Sequence, residues 1–323
     1  MSSQGRPTAE EVERLLLGLP PRHTRAGVAE LSGVPQELAA RIWRALGFAQ
    51  RADDAVAFTD ADVEALRRVR HLLDTGLLDE ETVVRMARAL GQTTARLAQW
   101  QAEIMTSAML PPEPGDDDLA RILDATRGLL PDFERVLVHV WRAQLAAAGT
   151  RLLALADLSD EPLLTRVPMA VGFADLVSFT SRSRELDERE LAALVEGFES
   201  RASDVVASHG ARLVKTLGDE VLFTAPGAVQ AAAIALDLVE ADELRIGLAY
   251  GPVVPMMGDV FGTTVNLAAR LTAIAHPGSV LVDAALAAEL DGEPHGFALR
   301  RIRKRPARGL GVVQPFVLRR SSL

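Results

Sequence analysis

Apolar residues recur every three to four positions over most of the first 110 residues. This spacing predicts amphipathic helices, because side chains three and four residues apart lie on one face of a helix. Proline, glycine and capping residues separate the segments, as at Pro20–Pro21 and Ser32–Gly33. We therefore predict an all-α N-terminal region, with helices over 10–17 and 80–105 and further helices beginning at Thr24, Pro35 and Thr59.

An acidic, proline-containing stretch at 111–118, PPEPGDDD, interrupts the helical pattern and predicts a linker. Two helices are predicted after it, over 119–130 and 132–157, separated at Pro131. The expected organisation is a helical domain over 1–110 with a helix-turn-helix-like start, a linker and helical connector over 111–160, and a second domain over 161–323.

From Pro168 onward, short apolar runs alternate with helical segments. Strands are predicted over 169–177, 244–254 and 279–283, and helices over 188–208, 226–239 and 264–274. The segments ARLVKT and VLFTA flank LGDE and predict a β-hairpin. The order β-α-β-β-α-β is that of a ferredoxin-like unit. We predict an α+β protein, in which an all-α domain precedes a ferredoxin-like one.

Composition and charge exclude several classes of protein. The chain has 323 residues, is 48% hydrophobic and carries a net charge of -9, which excludes a largely disordered chain and a wholly basic nucleic-acid clamp. It has no cysteine, which excludes disulfides and thiolate catalysis. The first twenty residues lack the pattern of a signal peptide, and no run of 18 apolar residues occurs, so we expect a cytoplasmic protein.

Two aspartates lie where the predicted backbone makes them available for chemistry. Asp175 lies near the end of an apolar strand, and Asp219 lies in the predicted hairpin turn. If neighbouring strands bring them together, the two like charges require a cation, and a pair of Mg²⁺ ions satisfies that requirement beside nucleotide phosphates. The alternative is two solvated carboxylates at strand ends.

A second set of polar residues lies in GDVFGTTVNLAARL, residues 258–271. Asn266 and Arg270 are four residues apart and share one face of the predicted helix. The planar guanidinium of Arg270 suits phosphate oxygens. Asp259 precedes the helix and could accept a hydrogen bond from an exocyclic amine or cap a turn. Lys215 is one of only two lysines among 35 basic residues.

Three segments together resemble the catalytic domain of class III nucleotidyl cyclases. They are GFADLVSFT, VKTLGDEVLF and GDVFGTTVNLAARL, and the resemblance covers about residues 165–320. The helical region before them is similar to the N-terminal regulatory half of actinobacterial adenylate cyclases. The resemblance implies an adenylate cyclase that forms cyclic AMP and pyrophosphate from ATP by in-line attack of the ribose 3′-oxygen on the α-phosphorus.

The resemblance also assigns a role to each of the six motif residues. Asp175 and Asp219 would hold two Mg²⁺ or Mn²⁺ ions. Lys215 would donate to adenine N1, and Asp259 would accept from the N6 amine. Asn266 would orient the ribose, and Arg270 would stabilise charge on the α-phosphate.

In this family each site forms between two catalytic domains, so the resemblance implies a homodimer with two equivalent sites. Family members carry a basic phosphate-binding residue in the late segment that here contains the run RRIRKRPAR, 300–308. Lys304 or a neighbouring arginine could fill that role. A solvated strand face and a nonspecific polyanion patch are the alternatives.

The N-terminal region leaves a second function open, because its first helices also resemble the start of a MerR-like DNA-binding domain. The chain would then be a nucleotide-responsive regulator with a weak or inactive cyclase domain. Charge argues against DNA binding, since residues 1–110 carry 13 Arg and no Lys against 15 Asp plus Glu, a net of -2. Related regulatory halves suggest a pH or lipid effector, and His23, His71 and His139 are candidate pH-sensing residues.

Overall fold

The computed structural model describes residues 7–49, 52–111, 115, 118–156, 166–177, 179, 184–291, 296–307 and 309–321. The chain separates into two compact units, Met1–Ala147 and Ala148–Leu323. The point of separation falls inside the predicted connector over 111–160. The predicted outer boundaries of that connector stay predictions.

The first unit is helical, as the apolar spacing predicts. Two of its helices begin after residues whose side chains accept backbone N–H bonds, since Thr24 accepts from Gly27 at 3.2 Å and Asp79 accepts from Thr82 at 2.7 Å. The helices are α1 (Ala9–Leu17), α2 (Arg25–Ser32), α3 (Gln36–Leu46), α4 (Asp60–Asp74), α5 (Glu80–Met109) and α6 (Asp118–Ala156), the last of which passes the boundary between the units.

The predicted separation of two helices at Pro131 is wrong, because α6 runs through this residue without a break. A proline removes one backbone hydrogen bond and crowds the preceding turn, but its fixed φ is compatible with a helix. Long helical segments on both sides therefore keep the chain helical through the proline.

The core of the helical unit lies between α2, α3, α4 and α5. Helix α5 packs closely on α3, since a Cβ added at Gly91 would lie 2.4 Å from the backbone oxygen of Leu46. The rest of this core is aliphatic apart from Trp43, whose ring lies 4.5 Å from that of Phe58. Its buried apolar residues are Val28, Val34, Leu38, Ala39, Ile42, Trp43, Ala45, Val63, Leu66, Val83 and Val84.

The second unit alternates strands and helices. Its elements are β1 (Val167–Leu176), α7 (Glu188–Ser208), β2 (Arg212–Thr216), β3 (Glu220–Ala225), α8 (Ala228–Ala241), β4 (Leu244–Met256), β5 (Asp259–Phe261), α9 (Thr263–Ile274), β6 (Ser279–Val282), α10 (Ala284–Glu289), β7 (Phe297–Arg301), β8 (Arg305–Ala307), β9 (Gly311–Val313) and β10 (Phe316–Arg320). The strands of the main sheet lie in the order β2-β3-β1-β4-β6-β10-β7, and β5 pairs with β4.

The first four strands have the ferredoxin-like arrangement predicted from the sequence. Strand β1 pairs antiparallel with β3 on one side and with β4 on the other, and β2 pairs with β3. Because β1-α7-β2 and β3-α8-β4 follow one another, the order is β-α-β-β-α-β. The predicted α+β fold class is confirmed.

The two faces of the sheet are covered by different helices. One face packs on α7 and α8 through residues such as Ala170, Ala174 and Phe223. The other face packs on α9 through Val171 and Phe173. This second face carries the candidate chemistry, because Asp175 continues the same alternation along β1.

Helix α9 crosses β4 at very short range. A Cβ added at Gly247 would lie 2.3 Å from the backbone nitrogen of Thr272 and 2.4 Å from the oxygen of Ala268. Glycine is therefore the residue that lets the helix lie directly on the strand.

Candidate active site

Three charged side chains meet at the carboxyl end of β1. Asp175 is paired in register with Glu220 of β3 and with Arg245 of β4. Residues that lie directly opposite in antiparallel strands point to the same face of the sheet. The guanidinium of Arg245 forms an ion pair with Asp175. Asp175 is thus held between one acidic and one basic neighbour.

The turn between β2 and β3 brings Asp219 to the same end of β1. The backbone N–H of Leu176 donates to the carbonyl oxygen of Asp219 at 2.9 Å. Gly218 precedes it with a φ of 76°, a left-handed conformation that glycine adopts without strain. The predicted juxtaposition of Asp175 and Asp219 is therefore built from a strand end and a tight turn.

At this end of the sheet the carboxyl groups outnumber the positively charged side chains beside them. Burial raises the pKa of Asp175, the charge of Asp219 raises it further, and Arg245 only partly opposes the rise. Burial and the charges of Asp175 and Asp219 raise the pKa of Glu220 to about 7. A bound cation would remove the repulsion that these carboxyl groups share.

The residues present fit divalent cations held jointly with a nucleotide. Carboxylate oxygens are the ligands that Mg²⁺ and Mn²⁺ prefer, and Mg²⁺ is commonly held by one or two carboxylates plus substrate phosphates. Asp175 and Asp219 supply two such carboxylates. Within the described ranges no cluster of three or more Asp, Glu, His or Cys side chains forms a ready-made metal site. A site completed by phosphate oxygens agrees with both observations.

A second polar pair lies on the neighbouring strands. The Nζ atom of Lys215 donates to Oδ2 of Asp259 at 2.5 Å, although the two residues are 44 positions apart. The other carboxylate oxygen of Asp259 accepts from the backbone N–H of Val260 at 2.8 Å. Burial alone would raise the pKa of Asp259, but these hydrogen bonds and the nearby positive charges hold it below its usual value.

Both polar groups lie on the face of the sheet that α9 covers. Lys215 is paired with Leu222, and Leu222 is paired with Phe173. Leu222 and Phe173 belong to the cluster that packs on α9. The Lys215 side chain therefore lies on the same face as Asp175.

Asn266 and Arg270 lie on the exposed side of α9, while Thr264 and Ala268 face the sheet. No hydrogen bond or ion pair joins either exposed side chain to another residue in the part of the chain that the structure describes. Lys304 is exposed in the connection between β7 and β8 and is not brought to either polar pair. The structure thus brings four of the seven candidate residues into the two polar groups, Asp175 with Asp219 and Lys215 with Asp259. The other three candidates are exposed.

Sequence reasoning missed Arg245 and Glu220. Arg245 is 70 positions from Asp175, and only the strand register brings the two together. A basic residue inside the apolar run LRIGLAY was the available signal. The Nε atom of Arg245 is buried and has no hydrogen-bond partner among the described residues, so one of the donors of this guanidinium is unused.

The helix-turn-helix prediction falls on α2 and α3. Arg41, a basic residue of α3, is engaged in ion pairs within the chain. Its guanidinium forms an ion pair with Glu81 and lies 3.7 Å from Glu80. His23, a candidate pH sensor, is hydrogen-bonded to Asp60 at 2.7 Å.

Comparisons with known proteins agree with both halves of the chain. Residues 14–147 match the family described as adenylate cyclase regulatory domain, and residues 165–320 match the adenylate and guanylate cyclase catalytic domain. An adenylate cyclase of Streptomyces coelicolor is 47% identical over 97% of this chain and 90% of its own length. One from Glutamicibacter nicotianae is 38% identical over 97% of this chain and 82% of its own length.

A third relative is a pH-sensitive adenylate cyclase of Mycobacterium tuberculosis. It is 30% identical over 91% of this chain and 77% of its own length. In the described parts of this chain, no helix combines the length and the apolar character needed to span a bilayer.

Proposed function

Because the chain belongs to the family of adenylate cyclases that join a regulatory domain to a cyclase catalytic domain, we propose that it converts ATP to 3′,5′-cyclic AMP and pyrophosphate. The observation that carries the proposal is the arrangement on one face of the sheet. The carboxylates at the end of β1 and the Lys215–Asp259 pair lie beside α9, the helix that exposes Asn266 and Arg270.

Adenine specificity follows from the donor and the acceptor that the second pair offers. Adenine presents the N1 acceptor beside the N6 donor. Lys215 offers a donor and Asp259 an acceptor, so both hydrogen bonds can form. Guanine presents O6 and N1–H at these positions and would be mispaired. The existing Lys215–Asp259 contact at 2.5 Å supports the proposal, because it shows that the two side chains reach a common point.

Asp175 and Asp219 would hold two Mg²⁺ or Mn²⁺ ions. When bound, such ions ease deprotonation of the ribose 3′-OH and neutralise the charge that develops on the phosphates. Arg245 would leave Asp175 as the cations bind, and its guanidinium would then be available to phosphate oxygens. Lys304 is a further candidate for a phosphate contact.

Asn266 and Arg270 would act across a homodimer. Their exposed side chains point away from the sheet of their own chain. Asn266 would orient the ribose, and Arg270 would stabilise charge on the α-phosphate. In a twofold pair they would meet the carboxylates of the second copy, and two equivalent sites would result. Lys215 and Asp219 would then serve different sites although they share one hairpin.

The N-terminal unit would regulate this activity. The match of residues 14–147 to a regulatory family supports this role, and the name of the M. tuberculosis relative supports pH as the signal. A lipid effector is the alternative. The second candidate function, a DNA-binding regulator, loses support because Arg41 is already paired with Glu81. Gel-shift binding that depends on DNA sequence and salt would restore it.

The direct test is cyclic AMP formation from ATP by the purified full chain with Mg²⁺ or Mn²⁺. Asp175→Ala should lower the rate at least about 100-fold, because the site loses a cation ligand. Asp204→Ala, an exposed aspartate of α7, is the matched control and should leave the rate unchanged. No cyclic AMP from the wild-type chain, or equal rates in the wild type and Asp175→Ala, would contradict the proposal.

A further inference from the structure

Arg245 is a positively charged side chain among the carboxyl groups of the candidate site. The strand register places it directly opposite Asp175, which in turn lies opposite Glu220. Asp219 reaches the same end of β1 through the turn before β3. The guanidinium of Arg245 forms an ion pair with Asp175, one of the two proposed cation ligands. A carboxylate proposed to hold divalent cations is therefore bound by a positive charge of the chain itself.

This ion pair is partly shielded from water. The side chain of Asp175 is 16% exposed, and that of Arg245 is 35% exposed. Water and salt screen such charges less than they screen charges at an open surface. The same shielding strengthens the repulsion between a guanidinium and a divalent cation that share one carboxylate. Arg245 and a divalent cation therefore compete for Asp175.

The backbone of Arg245 is held in place by its neighbours. Strand β4 lies between β1 and β6, and Arg245 is paired with Asp175 on one side and with Ser279 on the other. Two residues further along, Gly247 lies directly against α9. The strand cannot slide without breaking these contacts. The guanidinium therefore leaves Asp175 by rotation about its own side-chain bonds.

Such a rotation requires another anion for the guanidinium. A partly buried charge that leaves its partner loses the interaction that offsets its desolvation. The Nε atom of Arg245 is buried without a hydrogen-bond partner among the described residues, so the side chain is already one hydrogen bond short. Triphosphate oxygens supply negative charge and accept paired hydrogen bonds from a guanidinium. Release of Asp175 is therefore favoured when a nucleotide triphosphate is present.

We propose that Arg245 makes cation binding at Asp175 conditional on the nucleotide. In the nucleotide-free chain, the guanidinium holds Asp175 and disfavours a divalent cation there. When triphosphate oxygens accept the guanidinium, Asp175 becomes available, and the cations bind with the nucleotide or after it. The inference rests on the proposed function, because it takes ATP as the substrate and Asp175 as a cation ligand.

Mn²⁺ binding to the nucleotide-free full chain tests the proposal, since electron paramagnetic resonance measures the free Mn²⁺ that remains during a titration. Arg245→Met removes the charge and keeps a long, unbranched side chain. It should lower the Kd for Mn²⁺ at least about tenfold, because the bound cation no longer meets a positive charge at Asp175. Adding Asp175→Asn to this variant should reverse most of the gain.

Arg201→Met is the matched control, because Arg201 forms an arginine–aspartate ion pair elsewhere in the same unit. Its Nε and Nη2 atoms donate to the carboxylate of Asp242 at 2.7 and 2.8 Å. The substitution removes the same charge, so the Kd for Mn²⁺ should keep its wild-type value. An equal gain in Arg201→Met would show that net charge sets the affinity, and this result would overturn the proposal.

The titration also separates this inference from the proposed cation site. Equal Kd values for Mn²⁺ in the wild type and Arg245→Met would overturn the inference alone, provided that Asp175→Asn weakens binding in both. Absence of saturable Mn²⁺ binding in Arg245→Met would overturn the inference and the cation site together.

Binding of ATP in the presence of EDTA provides a second measurement, which needs no divalent cation. Under these conditions the triphosphate must draw Arg245 away from Asp175. Asp175→Asn frees the guanidinium and should lower the Kd for ATP about fivefold, as measured by isothermal titration calorimetry.

Asp175→Asn also removes a negative charge that repels ATP, so the same substitution is made in Arg245→Met. The gain in ATP affinity should be much smaller in that background, because the guanidinium is absent. An equal gain in both backgrounds would show that charge repulsion alone is responsible, and the proposal would be wrong.

Discussion

Among the described residues, the two units of this chain differ in the kind of side chain that they leave facing outward. In the catalytic unit most large apolar residues are buried against the sheet, and the outward-facing side chains proposed to carry chemistry are polar, such as Asn266 and Arg270. In the helical unit polar residues such as Asp79 cap helix starts, and α5 has a row of exposed apolar side chains, Met86, Leu90, Trp100 and Ile104. Each unit folds around its own core, yet the side chains that the two units leave facing outward differ in character.

Polar and apolar side chains differ in the free energy that it costs to leave them exposed to water. An exposed polar surface costs little in water, so the catalytic surface can stay free until nucleotide binds. An exposed apolar row favours permanent burial. The comparison therefore predicts that the exposed apolar row of α5 is covered in the assembled protein, whereas the catalytic surface stays open to nucleotide.

Two glycine substitutions should disrupt the units one at a time, and these are the largest effects that we expect. Gly247→Ala places a Cβ 2.3 Å from the backbone of Thr272, and Gly91→Ala places one 2.4 Å from the backbone of Leu46. Each should destabilise its own unit by about 3 kcal/mol or more, because backbone cannot move aside cheaply. Differential scanning calorimetry should show two transitions, of which each variant lowers one.

Gly227→Ala is the control for both glycine variants, since no heavy atom lies within 4 Å of its Cβ position. Gly247→Ala should also abolish cyclic AMP formation. A single transition that both variants lower equally would contradict the separation into two units.

Substitution of the two lysines should separate recognition of the base from recognition of the phosphates. Lys215→Ala should lower kcat/KM for ATP about 100-fold and change kcat/KM for GTP far less, because only adenine loses a matched donor. Lys304→Ala should lower both values by a similar factor of about 10, since phosphates are common to both nucleotides. Steady-state kinetics with each nucleotide measures the two ratios. An equal loss of kcat/KM for ATP and GTP in Lys215→Ala would show that Lys215 does not recognise the base.

A smaller effect, confined to the catalytic unit, concerns Glu220. Its pKa is raised to about 7 from 4.5, so between these pH values the folded state keeps a proton that the unfolded state has lost. Stability should therefore fall as pH rises from about 4.5 to 7 and then level off. Glu220→Gln removes this loss and should be more stable than the wild type by about 1–2 kcal/mol at pH 8, but not at pH 4.5.

Urea unfolding at the two pH values measures the difference for Glu220→Gln. Glu196 is an exposed glutamate of α7, so Glu196→Gln should show no such pH-dependent gain in stability. A gain that is the same at pH 8 and pH 4.5 would show that the effect comes from packing rather than from charge.

The sequence predicts much of the fold because its signals are local. Apolar periodicity identifies the helices, and the order of strands and helices identifies the ferredoxin-like unit. The predicted break at Pro131 was wrong, because a local rule about proline does not include the length of helix on either side. The roles of the six motif residues came from the resemblance and stay predictions.

Arg245 and Glu220 could not be predicted, because they depend on register. Asp175 meets them only when β1 is paired with β3 and β4 at one particular offset.

The central claim is that each site is shared between two copies, and complementation tests it most directly. Asp175→Ala and Arg270→Ala chains, each inactive alone, are co-expressed at equal levels with different tags. A mixed dimer contains one site with both native residues, so random pairing predicts about a quarter of the wild-type cyclic AMP rate. Purification through both tags should raise this to about half. If the doubly purified dimer is as inactive as either variant alone, each site belongs to a single chain and the account is contradicted.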